Sequence, residues 1–163
     1  MLFRSAEGAL NDLSTIPLNF MNIITNICFV AGTLILTDQG EIPIELLNYN
    51  NTIRGMKIKM VTKTRSEHMF LTFIQKSAFT EEVPNRDTIV SNNHILFIDD
   101  RSDYAEKFVN GKTIRYVTNN VSVLYNVVMD EHSYMYANGI KCETLHPTNN
   151  AVILLNAISK NYR

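Results

Sequence analysis

From residue 28 onward the chain alternates between short apolar runs and polar turn residues. Residues 56–60, Met-Lys-Ile-Lys-Met, switch between apolar and cationic side chains at every step, which is typical of a strand with one buried face. Residues 33–37 predict a buried strand, and Asp38-Gln39-Gly40 predicts a tight turn into the next strand. Further strands are expected at residues 69–74, 88–90, 95–98 and 121–129.

Two Asn-Gly pairs predict hairpin turns, because both residues tolerate the positive φ angles of a type I′ turn. Asn110-Gly111 would join strands at 107–109 and 112–117, and Asn138-Gly139 would join strands at 133–137 and 140–143. Many short strands with few helices indicate an all-β domain. Residues 151–159 predict a terminal helix, and residues 1–27, which lack a clean period, indicate a leader or linker.

Composition narrows the class of protein without selecting a function. The 163 residues suffice for one domain with a sizeable core, and the hydrophobic fraction of 45% excludes a disordered chain. A net charge of −1 gives no electrostatic reason to expect nucleic acid or an anionic membrane as partner. Two cysteines suit a reducing intracellular compartment but leave room for a single Cys28–Cys142 disulfide. We expect a monomer.

The apolar stretch at residues 16–36 raises the question of membrane insertion. Three asparagines and Pro17 interrupt it, and such residues are unfavourable in a lipid-exposed helix. The segment before it lacks the net positive charge of a signal peptide, because Arg4 is offset by Glu7 and Asp12. We therefore expect no membrane span.

Four residues attract attention as candidates for chemistry. Cys28 precedes the first predicted hairpin, and a thiol is the best intrinsic nucleophile among the side chains, active as its thiolate. His94 follows a short predicted strand, and Ser91 lies close enough to hydrogen-bond the imidazole or the same substrate atom. His132 lies between two strands, directly after Asp130-Glu131, whose carboxylates are near enough to pair with it if they face it.

Simpler explanations exist for each of these residues. A free cysteine is more often a small core residue, and a histidine in a loop is more often solvated. The Cys and His residues do not have metal-ligand spacing, so neither a metal nor a cofactor is predicted. The residues alone therefore leave an all-β domain with a candidate Cys/His site.

Three segments, taken in order, suggest a family. The first is Cys28-Phe29-x-x-Gly32-Thr33-x-Ile35 with Gly40-x-x-Pro43-Ile44-Glu45-Leu46. The second is Pro84-x-Arg86-Asp87 followed by Ser91-x-x-His94, and the third runs from Tyr125-Asn126-Val127-Val128 through His132 to Ala137-Asn138-Gly139-Ile140. Over residues 28–147 the chain resembles the Hint domain, the module shared by Hedgehog autoprocessing domains and inteins, and it is most similar to the bacterial-type Hint proteins.

The resemblance implies a horseshoe-like all-β fold with a leader at 1–27, a Hint domain at 28–147 and a tail at 148–163. It also implies self-processing. Cys28 would attack the peptide bond that joins it to Ile27, and this N-to-S acyl shift would give a thioester. Water or another small nucleophile would then release residues 1–27, so that the substrate is the chain's own N-terminal segment.

The resemblance also suggests roles for the remaining site residues. His94 would donate a proton to the departing nitrogen, a general-acid task suited to a pKa near neutrality. Ser91 would position His94 or hydrogen-bond the scissile unit. Asn126 stands where many inteins have an aspartate that assists the cysteine, and His132 matches a family histidine tied mainly to the C-terminal step.

The chain departs from inteins in its last block. Inteins finish with His-Asn followed by a nucleophile, whereas residues 140–144 here are Ile-Lys-Cys-Glu-Thr, so we expect N-terminal cleavage without splicing. Nothing in the chain resembles the sterol-recognition extension of Hedgehog proteins. One alternative is a Hint fold that has lost cleavage and acts as a structural or binding domain. Another is a multiple-turnover cysteine hydrolase, which is disfavoured because the N-terminal leader would cover the nucleophile.

Overall fold

The computed structural model describes residues 27–66, 68–121 and 123–150, with 152, 153 and 157. This part of the chain is nearly all β-structure, with two 3₁₀ helices at Ile44–Leu46 and Ala105–Phe108, so the all-β prediction is confirmed. The leader except Ile27, and most of the terminal helix predicted at 151–159, lie outside the described residues. The described chain contains no helix long and apolar enough to cross a bilayer.

Twelve strands follow one another in the described residues. They are β1 Leu34–Thr37, β2 Gly40–Pro43, β3 Thr52–Ile53, β4 Met56–Arg65, β5 Phe70–Ile74, β6 Thr88–Val90, β7 Ile95–Ile98, β8 Arg101–Tyr104, β9 Ile114–Thr118, β10 Val123–Met129, β11 Tyr134–Ala137 and β12 Ile140–Glu143. They form a six-stranded sheet in the order β2-β1-β11-β12-β7-β8 and two three-stranded sheets, β10-β4-β3 and β6-β5-β9.

The alternating pattern at residues 56–60 underestimates the length of its strand. β4 continues to Arg65, and Thr62 and Thr64 extend the face on which Met60 is buried, whereas Ile58, beyond a register shift against β10, packs in the main core. Threonine is β-branched and packs well on a pleated surface, so it prolongs a buried strand face without adding an apolar signal to the sequence. β4 pairs along most of this length with β10, so residues directly opposite one another on the two strands share a face of the sheet.

One of the two predicted Asn-Gly hairpins is confirmed. Asn138 and Gly139 have φ angles of 48° and 81°, and they join β11 to β12 with Ala137 opposite Ile140. Both residues thus occupy the positive-φ region that the type I′ turn requires.

The hairpin predicted at Asn110-Gly111 is wrong. The residues before it form the second 3₁₀ helix, in which Ala105 is fully buried and Phe108 packs edge-on against Phe79 at 5.4 Å between ring centroids. β9, which follows the turn, pairs with β5 instead. The Asn110 side chain stabilises this connection by accepting the N–H groups of Lys112 and Ile114.

Phe29 links the two smaller sheets. Its N–H and C=O exchange two hydrogen bonds of 2.8 Å with Tyr125 of β10, and it also forms an antiparallel bridge with Val90 of β6. Its side chain is fully buried in the main core. Since Cys28 directly precedes Phe29, this pairing fixes the position of the cysteine backbone between two sheets.

Candidate active site

Ser91 holds the backbone of Cys28 on both sides. The Cys28 N–H donates a 2.7 Å hydrogen bond to the Ser91 hydroxyl oxygen, and the Ser91 N–H donates a 2.9 Å bond to the Cys28 carbonyl. Ser91 is fully buried and directly follows β6. Of the two positions expected for its hydroxyl, the structure therefore shows the one on the Ile27–Cys28 peptide and not the one on the His94 imidazole.

Asn126 binds the other end of the same peptide bond. Its side-chain NH₂ donates a hydrogen bond to the carbonyl oxygen of Ile27. The amide oxygen of Asn126 accepts the N–H of Val127 at 2.8 Å, which fixes the side chain with its nitrogen toward Ile27. Asn126 is fully buried in β10, so this donor is held in place before any reaction.

The thiol of Cys28 lies in an apolar cluster with Leu71 and Leu124. Burial raises the pKa of Cys28 to about 12, although a hydrogen bond between its sulfur and the Thr64 hydroxyl, at 3.7 Å, acts in the opposite direction. The thiol is therefore protonated at neutral pH, and ionisation needs a base.

Both cysteines are free, so the Cys28–Cys142 disulfide that the composition allowed is not formed. Cys142 is buried in β12, where it lies opposite Met135 of β11 and Leu96 of β7.

His94 is fully buried and neutral. Its Nε2 lies 3.0 Å from the carbonyl oxygen of Glu143, and because a carbonyl only accepts, Nε2 carries the proton. Nδ1 is then an unprotonated acceptor, and it has no hydrogen-bond partner in the described structure. Burial lowers the pKa of His94 to about 4, which corrects the near-neutral value expected of a general acid. Its ring packs against Phe29, with 4.5 Å between centroids.

Glu143 is a site residue that sequence analysis missed. Its carbonyl receives His94 Nε2–H, its Oε1 accepts the N–H of Ile95 at 3.0 Å, and its Oε2 lies 3.3 Å from His132 Nε2. The residue is itself 7% exposed. No local pattern marks Glu143, because it acts through the pairing of β12 with β7, which is a long-range contact.

His132 does not contact the Ile27–Cys28 peptide in the described structure and is connected to His94 through Glu143. Its described polar contact is Glu143, and its ring packs on that of His146 with 5.0 Å between centroids. The acidic neighbours expected from the sequence do not provide this contact, since Asp130 instead lies 3.8 Å from the ammonium group of Lys59. The structure thus places Ser91 and Asn126 on the Ile27–Cys28 peptide and His94 next to Ser91 and Phe29, and it connects His132 to His94 through Glu143.

The arrangement of strands is that of intein-like domains. An intein-like domain from Clostridium thermocellum is 14% identical, covers 74% of this chain and 100% of that one, and has a TM-score of 0.58. A DnaB intein from Synechocystis is 13% identical, covers 72% and 98%, and has a TM-score of 0.51. At these identities the likeness shows the fold alone.

A family model described as the Hint domain matches residues 27–149. The chain therefore belongs to the Hint domain family and is a Hint domain of the bacterial type, as its three segments predicted. No curated protein matches the chain.

Proposed function

We propose that this Hint domain cleaves its own Ile27–Cys28 peptide bond and does not splice. One observation carries the proposal: side chains bind both ends of this single peptide, Asn126 at the oxygen and Ser91 at the N–H, beside a thiol. Buried backbone groups are mostly satisfied by other backbone groups. Two buried side chains directed at one peptide are suited to binding a bond that reacts.

The first step exchanges an amide for a thioester. The sulfur of Cys28 attacks the carbonyl carbon of Ile27, an S–C bond forms, and negative charge develops on the oxygen that Asn126 contacts. The C–N bond then breaks, and the nitrogen of Cys28 leaves as an amine. Water attacks the thioester next, which releases residues 1–27 with a carboxylate and restores the thiol. This hydrolysis draws the unfavourable first step forward.

His94 accounts for the proton. A thiol with a pKa of about 12 must lose its proton as it attacks. The acceptor we assign is Nδ1 of neutral His94, whose ring packs on Phe29 next to Cys28; in the resting structure Nδ1 has no partner among the described residues, so the two groups must approach before the proton moves. Because the pKa of the ring is lowered to about 4, His94 is a weak base that takes the proton only as the sulfur bonds to carbon, and it then gives that proton readily to the departing nitrogen. His94 thus acts first as a base and then as an acid, while Ser91 keeps the nitrogen oriented.

The absence of splicing rests on the last strand. β12 ends at Glu143, whose side chain is engaged by Ile95 and His132, and Thr144 exchanges hydrogen bonds with the backbone of Ser133. Residues 140–144 include no asparagine that could cyclise. Release of the leader is therefore the one bond cleavage proposed.

Intact-mass spectrometry of freshly purified chain tests the proposal. We expect fragments 1–27 and 28–163, formed faster with hydroxylamine, which captures the thioester as a hydroxamate on Ile27. Cys28→Ala abolishes both fragments, whereas Cys142→Ala, which removes the other buried free cysteine, keeps them. A wild-type chain that stays intact under hydroxylamine contradicts the proposal.

A second candidate is a Hint domain that no longer cleaves and serves as a structural or binding domain. The burial of Cys28, which is 3% exposed and has its pKa raised to about 12, favours this candidate because it opposes thiolate formation. The same mass measurement separates the two, since only an active domain yields a fragment that begins at Cys28.

A further inference from the structure

The sulfur of Cys28 has one hydrogen-bond partner in the described structure outside the reacting peptide. The Thr64 hydroxyl lies 3.7 Å from it, while the neighbours in its cluster are apolar, with Leu71 and Leu124 buried against it. Thr64 is 5% exposed, so bulk water does not replace this contact. An anionic sulfur in such a pocket depends strongly on any donor within reach.

The pairing of β4 with β10 explains why Thr64 points at the sulfur. Thr64 lies opposite Leu124, and Thr62 lies opposite Asn126. Residues that are directly opposite, and residues two apart on one strand, share a face of the sheet. The same face therefore presents the Thr64 hydroxyl to the sulfur and the Asn126 amide to the carbonyl oxygen.

The Thr64 hydroxyl hydrogen is not firmly held elsewhere. Its other acceptor is the carbonyl of Leu124 at 3.5 Å, which is longer than an ordinary O–H···O bond of about 2.7–2.8 Å. The hydroxyl can therefore accept from the neutral thiol and turn to donate when the sulfur becomes negative. The isosteric side chain of valine can do neither.

We propose that Thr64 is a catalytic residue of this site, which orients the thiol and donates a hydrogen bond to the sulfur as it loses its proton. Its part in cleavage rests on the function proposed above. Its effect on the reactivity of the thiol does not rest on that function, since the Thr64 hydroxyl contacts the sulfur whichever electrophile reacts with Cys28.

Two measurements in a Cys142→Ala background test this. One is the rate of cleavage, and the other is the rate at which iodoacetamide alkylates Cys28, scored by intact mass on the uncleaved chain alone. We compare Thr64→Val, which removes the hydroxyl, with Thr64→Ser, which keeps it. The matched control is Thr37→Val. This threonine is 6% exposed, and its hydroxyl donates to the Gly40 carbonyl in the six-stranded sheet, away from Cys28.

We expect Thr64→Val to slow both rates roughly tenfold, the loss that one hydrogen bond to a charged group corresponds to. Thr64→Ser stays within about twofold of the parent, and Thr37→Val leaves both rates unchanged. If the parent does not cleave but Thr64→Val slows alkylation, the role of Thr64 stands and the cleavage proposal fails. Alkylation and cleavage at parental rates in folded Thr64→Val overturn the inference.

Discussion

The side-chain amide of Asn126 donates to the carbonyl oxygen of Ile27, while its own oxygen is occupied by the N–H of Val127. Asparagine can make this contact because its NH₂ donates, whereas an ionised aspartate only accepts. Many inteins have aspartate where this chain has Asn126, so the difference changes the chemistry of the position. Here the residue is suited to stabilising negative charge on the carbonyl oxygen rather than to moving a proton.

Replacing Asn126 with alanine or aspartate should slow cleavage roughly a hundredfold, because each change removes the donor at the developing oxyanion. The rate is measured from the appearance of the fragment that begins at Cys28. Asn138→Ala is the matched control, because Asn138 is also buried but hydrogen-bonds Leu34 and Thr88. It should lower the free energy of unfolding without changing the rate of folded chain. An Asn126→Asp chain that cleaves at the wild-type rate contradicts the role.

Acid should destabilise the fold through His94. Its pKa is about 4 in the folded chain against an ordinary value of 6.5, so the unfolded chain binds the proton first as the pH falls. Above about pH 7 His94 is neutral in both states and does not lower the free energy of unfolding. As the pH falls from about 6.5 to 4, the proton bound by the unfolded chain lowers the free energy of unfolding by roughly 3 kcal/mol in all. Urea unfolding at several pH values should show a shallower dependence for His94→Gln. Equal pH dependence in the two chains would contradict this expectation.

Removing the buried Glu143 side chain should destabilise the fold by about 1–3 kcal/mol, because the partly buried Ile95 N–H then loses its acceptor. Glu143→Gln should lose less, since an amide oxygen still accepts that N–H. The free energy of unfolding in urea measures both. Glu45→Ala is the matched control, because that carboxylate accepts the N–H of Gly32 in an exposed position. Similar losses for Glu143→Ala and Glu45→Ala would show that burial does not set the cost.

Two glycines with similar backbone angles should respond differently to alanine. Gly111 and Gly139 have φ angles of 75° and 81°, so a side chain costs about 1 kcal/mol at either position. An added Cβ at Gly111 meets nothing within 4 Å, but at Gly139 it lies 3.3 Å from the backbone oxygen of Glu82. Gly139→Ala should therefore lower the thermal midpoint more than Gly111→Ala. The reverse order would contradict the contact.

The two Asn-Gly pairs show what local patterns can predict. Asn138-Gly139 forms the expected turn because the strands on both sides of it have partners in the same sheet. Asn110-Gly111 does not, because Phe108 is drawn toward Phe79 and β9 has β5 as its partner. Local turn preference was the same in both places, and tertiary packing decided between them.

The site could be predicted only where one segment carries a recognisable pattern. Cys28, Ser91, His94 and Asn126 lie in such segments; Ser91 and Asn126 bind the peptide that ends at Cys28, and His94 packs on the neighbouring Phe29. Thr64 and Glu143 have no local signal, because they reach the site through the strand pairs β4–β10 and β12–β7. The low pKa of His94 could not be predicted from the sequence either, since it results from the burial of the ring in the folded chain.

The pairing of Phe29 with Tyr125 and Val90 has a consequence for timing during synthesis. A nascent chain makes Cys28 long before the residues that pair with its neighbour, so the Ile27–Cys28 bond is synthesised before Ser91 and Asn126 can bind it. Closing contacts so distant in sequence is a slow, late event in folding. In a chain that cleaves as proposed, completion of the fold is thus the trigger, and a chain truncated before β10 keeps its leader attached.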